Sequence, residues 1–406
     1  MKKFTKQEIS WILYDVANSA FTMLIATTIP IFFRALAEQE MAPTTVSSVW
    51  ALTTSFAFLV LALLAPFLGA LADYQGMKKK MFSIFLAVGV VGLLTLSFSK
   101  NWLIYLIVFI ITRIGFSACS IFYDSMLVDV SKDENMDRTS SYGYALGYIG
   151  SCIPFTIGIL LILTLPFGLT TQSATQISFI ITALWWVGMT IPLLKNVHQT
   201  HYLEPRPHQI SHAFARVGAT LKKIRQTPNI LYFIIAYFCY IDGVYTIISM
   251  ATTYGGELGI SASSMILALL LTQVVAFPCA ILSGSMAEKF GTLKVIRALI
   301  LVYAGICVFG YQLDKNWEFW VLAVVVGMAQ GGVQSLSRSY YGKIIPKNES
   351  NEYFGFFDIF GRFADFLGPL IMSFCAYFLG SSTYGILALL ILFIIGYVLL
   401  RKIPEV

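Results

Sequence analysis

Charge is scarce in this sequence. Only 12% of its 406 residues are Asp, Glu, Lys or Arg, about half the ~25% typical of a soluble globular protein. Cysteine is thin as well. The six present, Cys119, Cys152, Cys239, Cys279, Cys307 and Cys375, fall singly inside apolar runs, which excludes a disulfide framework and a cysteine metal site. There is no HExxH, no GxSxG and no P-loop. That disfavours a zinc peptidase, a serine hydrolase and a pump driven by ATP on its own chain. The longest link between apolar runs, 195–227, is too short for a soluble receptor or scaffold domain. No enzyme activity, cofactor or metal is expected, and the modest basic excess does not signal nucleic-acid binding.

What fills the chain is apolar sequence, 57% of all residues. Runs of about twenty such residues recur from end to end, the length a helix needs to cross a bilayer. The expected fold is all-α and polytopic, with spans at 10–36, 45–72, 80–99, 102–129, 141–164, 176–194, 228–254, 262–287, 291–312, 317–341, 352–379 and 382–400. Numbered alternately, the links separate the basic residues. Twenty-two of the 27 Lys and Arg fall on the side that holds both termini. Three, Arg34, Lys100 and Lys315, fall on the other, and Arg113 and Arg362 lie within spans. This places both termini in the cytoplasm, of a bacterial inner membrane in our reading. Lys2, Lys3 and Lys6 precede the first apolar run, but its length and Asp15 argue against a cleaved leader.

The link 195–227 divides the chain into two six-helix bundles, 1–194 and 228–406. Within it Ile210, Phe214, Val217, Leu221 and Ile224 share one helical face, with Arg216, Lys222, Lys223 and Arg225 elsewhere. That pattern predicts an amphipathic helix on the inner membrane surface. The four histidines, His198, His201, His208 and His212, occupy the same link; with Glu204 as the one nearby carboxylate they read as a solvated linker.

A repeat relates the halves. "GALADYQGMKKK" (69–80) and "GSMAEKFGTLK" (284–294) share a Gly, an Ala at +3, an acid at +4 and a Gly at +7. Gly69, Gly76, Gly284 and Gly291 are expected to let backbones approach. Asp73, and Glu288 in the second copy, stand where a span ends. There Asp73 is placed to hold a helix N-terminus or a lysine such as Lys78, a contact suited to latching one conformation.

"GALADYQGMK" resembles the loop signature of the major facilitator superfamily, with Tyr74 and Met77 in place of the usual arginines. "LYDVANSAF" (13–21), "SSYGYALGYIGS" (140–151), "YIDGVYTI" (240–247), "GGVQSLSRSYYGKIIP" (331–346) and "YFGFFDIFGRFADFLGP" (353–369) resemble the branch called the unknown major facilitators. Its fungal members are vacuolar amino-acid effluxers linked to autophagy. The resemblance implies a twelve-helix fold in which helices 1, 4, 7 and 10 line a central cavity, and it favours efflux.

Polar side chains inside spans must face other helices or water. They fall into stripes at helical spacing: Asp15, Asn18 and Thr22 in span 1; Arg113, Ser117, Ser120 and Asp124 in span 4; Asp242, Tyr245, Ser249 and Thr253 in span 7; Gln330, Gln334, Ser337 and Tyr341 in span 10. Helix-to-helix hydrogen bonding explains the hydroxyls as well as pore lining does. The ionisable groups point further. Arg113 at mid-span can hold a carboxylate by paired hydrogen bonds. A carboxyl as deep as Asp242 is costly to leave ionised, which makes it a candidate proton carrier. Asp358, Arg362 and Asp365 at i, i+4, i+7 form a self-contained triad suited to structure or gating. Arg338 and Lys343, near the end of span 10, are expected to snorkel. The sequence therefore points to a monomeric secondary transporter of a small polar solute, amino acids included, embedded in lipid and with protons as candidate coupling ion. An exporter of drugs, lipids or other amphiphiles is the alternative, followed by a membrane scaffold or polytopic enzyme.

Overall fold

A computed structural model describes residues 3–405 apart from 206, 208, 258, 314 and 380–382. At 43, 44, 209, 211, 252–254, 256, 257, 262, 263, 266, 362, 364–366, 376, 379 and 383 it describes the backbone alone. The helices are α1 (Lys6–Ala26), α2 (Thr28–Ala37), α3 (Pro43–Ala72), α4 (Met77–Phe98), α5 (Trp102–Ser125), α6 (Leu127–Val130), α7 (Asp133–Thr164) and α8 (Thr171–Asn196). They continue with α9 (Gln209–Gln226), α10 (Pro228–Glu257), α11 (Ala262–Phe290), α12 (Thr292–Tyr311), α13 (Asn316–Ile344), α14 (Ser350–Leu379) and α15 (Thr383–Leu400).

Each of the twelve expected spans is helical. Among the described residues, ten helical stretches are long and apolar enough to cross a membrane, and Tyr384–Leu400 is a shorter apolar helix. Local chemistry sets their ends. Thr5 caps α1 by accepting from the Glu8 amide while the Glu8 carboxylate accepts from Thr5 N, a reciprocal capping box. Asn101 caps α5 through Leu103 N and Ile104 N. The first span breaks at Thr27. Pro30 has no amide to continue the ladder, and it is tolerated because it falls in the first turn of the new helix α2.

Contacts divide the chain into two compact units. Unit 1 is Met1–Val130, Leu146–Phe214 and Asn348–Gly355; unit 2 is Ser131–Ala145, Ala215–Lys347 and Phe356–Val406. Three of the five boundaries thus fall inside α7, α9 and α14. In unit 1, α1 packs on α8, α4 on α5 and α8, and α3 on α5. In unit 2, α10 packs on α15, α12 on α13 and α15, and α11 on α13. These are the same pairings, span for span, so the repeated motif belongs to a repeated packing plan. The unit 1 core is aromatic: Phe21 stacks on Trp186 and tilts against Phe116, and Trp11 stacks on Tyr123. In unit 2, Phe233 lies against Tyr340 and Tyr341, and Tyr303 stacks on Phe393. Around these cores Leu52, Leu63, Leu160, Leu184 and Ile391 stay exposed, as side chains facing acyl chains do.

The link carries helix α9, Gln209–Gln226. On α9, Ile210, Phe214 and Leu221 are exposed while Ile224 is buried, and Phe214 stacks on Phe67 of α3.

Candidate functional site

Helix α3 ends with Asp73 as its C-cap residue, and the carboxylate reaches the first turn of α14. Asp73 Oδ1 accepts from Asn351 N at 2.9 Å and from Asn351 Nδ2 at 3.0 Å, and Oδ2 accepts from Glu352 N at 3.3 Å. The first amides of a helix have no intrahelical acceptor and carry the positive end of its dipole. A buried carboxylate answers both needs. One turn earlier sits Gly69, where a Cβ would collide with the Asn351 carbonyl. Gly69 therefore permits close approach, as expected. Gly76 does not: nothing lies within 4 Å of its would-be Cβ, and its φ of 74° is the reason for glycine there.

Lys78 and Asp129 form a buried ion pair beside this contact, Nζ to Oδ2 2.5 Å, with both side chains at most 1% exposed. Lys78 also donates to Ser350 Oγ and to the Ser125 carbonyl. Ser125 bonds Asn351 as well. The other oxygen of Asp129 accepts from Thr200 N, His201 N and Thr200 Oγ1, each at 2.9 Å. This corrects the picture of a freely solvated linker. Residues 199–203 strap the turn between α3 and α4: Leu203 N donates to Asp73 O, Gln75 N to Leu203 O, and Gly76 N to Gln199 Oε1. His198 and His212 are exposed, and His208 lies outside the described residues.

The second copy of the motif, in unit 2, keeps the glycines and moves the acid. A Cβ at Gly284 would lie 2.7 Å from Ser141 of α7, and Gly291, at φ 99°, precedes α12. Glu288 is exposed and stands outside the network. Its place is taken from the other side by Asp137 of α7, 3% exposed. Asp137 accepts from Thr292 Oγ1 at 2.7 Å, Lys343 Nζ at 2.6 Å and Ser339 Oγ at 2.5 Å. Arg338 is buried too, donating to Ser140 Oγ and Ser140 O with its guanidinium 4.3 Å from the Tyr144 ring centre. Arg338 and Lys343 therefore do not snorkel. Both are taken up by α7, whose first turns are rich in Ser and Thr hydroxyls.

The polar stripes lie deeper. On α1, Asp15 is 6% exposed, Asn18 half-buried and Thr22 exposed. Asn18 Oδ1 and, on α5, Ser117 Oγ are enclosed with no hydrogen-bond partner among the described residues. Helix α7 closes on this stretch of α1 at Gly147, where a Cβ would sit 2.7 Å from Ser19 Oγ and 3.2 Å from Asp15 O. Arg113 is half-buried, its guanidinium 5.0 Å from the Phe58 ring centre and 5.9 Å from that of Phe116. Asp124 is half-buried. In unit 2, Asp242 is fully buried and accepts from Gly368 N at 2.8 Å; Tyr245 is half-buried. Gln330 donates to Gln273 Oε1 at 3.1 Å, and Gln334 is half-buried. Of the α14 triad, Asp358 is half-buried; the side chains of Arg362 and Asp365 lie outside the described residues.

A family model described as "Vacuole effluxer Atg22 like" matches residues 41–405. This chain belongs to the Atg22-like family. An uncharacterized MFS-type transporter, YxiO, of Bacillus subtilis (strain 168) is 44% identical over 100% of this chain and 96% of its own length. Autophagy-related protein 22 of Yarrowia lipolytica is 26% identical over 58% of this chain. The Atg22-like chain described here covers 45% of that fungal protein's length. Among solved structures, the human organic anion transporter MFSD10 (TETRAN) superposes with a TM-score of 0.73 at 13% identity, covering 98% of this chain and 100% of that one. FucP in its outward conformation gives 0.73 at 14% identity, over 98% and 97% of the two chains. Identities this low establish the fold, that of the major facilitator superfamily.

For this Atg22-like protein, sequence reasoning missed Asp129, Asp137, Asn351 and the 199–203 strap. Asp137 sits in a stretch that reads as a polar link, and Asp129 at the predicted end of a span. The signal available was the run "RTSSYGYALG" (138–147), whose small hydroxyl residues suit a helix start buried against another helix.

Proposed function

We propose that this protein is a secondary transporter that moves a small polar or zwitterionic solute by alternating access, with amino acids the first class to test. Arg113 is the partner of a solute carboxylate and Asp242 the proton carrier, with Asp15, Asn18, Thr22, Ser117, Tyr245, Gln330 and Gln334 along the pathway. The observation that carries this reading is Arg113: a guanidinium that keeps its charge at any physiological pH, half-buried mid-helix between two aromatic rings and one turn from Ser117. Aromatic rings 5.0 and 5.9 Å away favour a planar cation, and a guanidinium recognises a carboxylate by paired hydrogen bonds. The helix-end networks around Asp73 and Asp137 serve as latches that hold one conformation. The division at 195–227, both termini in the cytoplasm and outward transport complete the proposal; the lopsided distribution of Lys and Arg supports the orientation, and family membership supports the direction.

The test is a panel of radiolabelled amino acids, sugars, nucleosides and amphiphilic organic anions in proteoliposomes, with and without an imposed proton gradient. We expect gradient-driven amino-acid movement that Arg113→Ala and Asp242→Asn each abolish, with folding and insertion unchanged. Wild-type rates in both variants would remove the assignment. Movement of an amphiphilic anion in place of amino acids would shift it to the exporter alternative.

A further inference from the structure

Helix α14 carries Gly368 followed by Pro369. Pro369 has no amide hydrogen and so interrupts the helical ladder. The amide just before it is taken up from outside the helix: Gly368 N donates to Asp242 Oδ1 of α10 at 2.8 Å. Both residues are buried. Glycine is required at this point, because a Cβ at 368 would collide with Thr246 Oγ1 and lie 2.9 Å from Asp242 Oδ1. Asp242 and Thr246 are one turn apart on α10, so they straddle the bare Cα of Gly368. Nearer the start of α14, the same two helices are pinned by Tyr237 stacked on Phe357 at 3.9 Å, with the Tyr237 hydroxyl facing Gly361. The ring stack is apolar and insensitive to charge. The contact at Gly368 depends on one carboxylate.

We propose that Asp242 is a positioning residue for α14, its carboxylate supplying the acceptor for the Gly368 amide and fixing the helix at the Gly368–Pro369 interruption. A hydrogen bond to an ionised acceptor is roughly twice as strong as a neutral one. Any event that moves the Asp242 acceptor oxygen away from Gly368 is thereby transmitted to α14. This rests on the transport reading, in which Asp242 carries the proton, and it gives that group a second task. Substitution separates the two. A carboxamide retains an acceptor oxygen for Gly368 and carries no proton; an alanine retains neither.

Hydrogen–deuterium exchange at single-residue resolution on the full-length protein in detergent measures the Gly368 amide directly and requires no solute. We expect Asp242→Ala to speed its exchange by about tenfold or more, the loss of a charge-assisted bond, and Asp242→Asn to hold it within about threefold of wild type by conserving the acceptor. Asp242→Leu, which fills the site without an acceptor, serves as the second arm should the alanine variant not fold. Wild-type exchange at Gly368 in the alanine or leucine variant overturns the proposal, as does equal loss of protection in Asp242→Asn. A failure of gradient-driven transport to appear in the proteoliposome panel would instead count against the transport reading, leaving the exchange result standing.

Discussion

Replacing Asp137 with alanine should destabilise the protein more than any comparable change on the surface. The carboxylate and the Lys343 ammonium it holds at 2.6 Å are 4% and 8% exposed, so solvent screens the pair little. Removing the acid leaves an enclosed cation with, among the described residues, Thr292 Oγ1 at 3.0 Å as its remaining partner. Breaking one side of a buried pair costs about 3–5 kcal/mol. The loss of an acceptor for Thr292 and Ser339 adds to that, by roughly 1 kcal/mol each. In a thermal melt of the detergent-solubilised protein this corresponds to a fall of roughly 5–15 °C. The double variant Asp137→Leu with Lys343→Met removes both charges and fills their space; it should recover to within about 2 kcal/mol of wild type, because well-packed apolar pairs replace buried ion pairs at little cost and the remaining deficit is the acceptor that Thr292 and Ser339 still lack. A single alanine variant melting within about 2 °C of wild type would refute the argument. So would a double variant that melts as low as the single one.

Two further outcomes follow from the unit 1 network. Asp73→Ala removes the acceptor for three donors at the start of α14 and should cost about 1–2 kcal/mol, the worth of a helix cap, measurable as faster exchange at the Asn351 and Glu352 amides; Asp73→Asn should lose less. Asp129→Ala should free the 199–203 strap, so that the Thr200 and His201 amides, which donate to Asp129 Oδ1, exchange at least about tenfold faster than in wild type, as expected when charge-assisted bonds restraining a loop are lost; unchanged exchange would remove Asp129 from that role.

Much of this molecule could be seen in its sequence. Apolar length located every span, because a bilayer imposes one dimension on all of them. The spacing of Gly69, Asp73 and Gly76 and its echo at Gly284, Glu288 and Gly291 locates the repeat, and it leaves Asp73 either a helix N-terminus or a lysine as partner; in the structure Asp73 meets the start of α14. The break at Thr27 is absent from the expected continuous span 10–36, because its one cue, Pro30, is submerged in an apolar run. Other features depend on partners distant in the chain. Whether Arg338 snorkels or is buried turns on Ser140 and Tyr144, nearly two hundred residues away. Glu288 occupies the place of Asp73 in the repeat yet lies exposed, since sequence spacing fixes where a residue sits on its own helix and says nothing of what approaches it. Gly76 was read as a contact point although its backbone angle is what demands glycine.

The duplicated plan has drifted into opposite polarity. In one copy the carboxylate at the end of α3 accepts from the Asn351 and Glu352 backbone amides and the Asn351 carboxamide; in the other, the carboxylate lies on α7 and its partners include a lysine. Loss of the Lys343 ammonium by substitution would therefore loosen the grip around Asp137 and spare the one at Asp73. Two contacts at corresponding places in the repeat thus rest on different chemistry, so a substitution that removes one leaves the other in place.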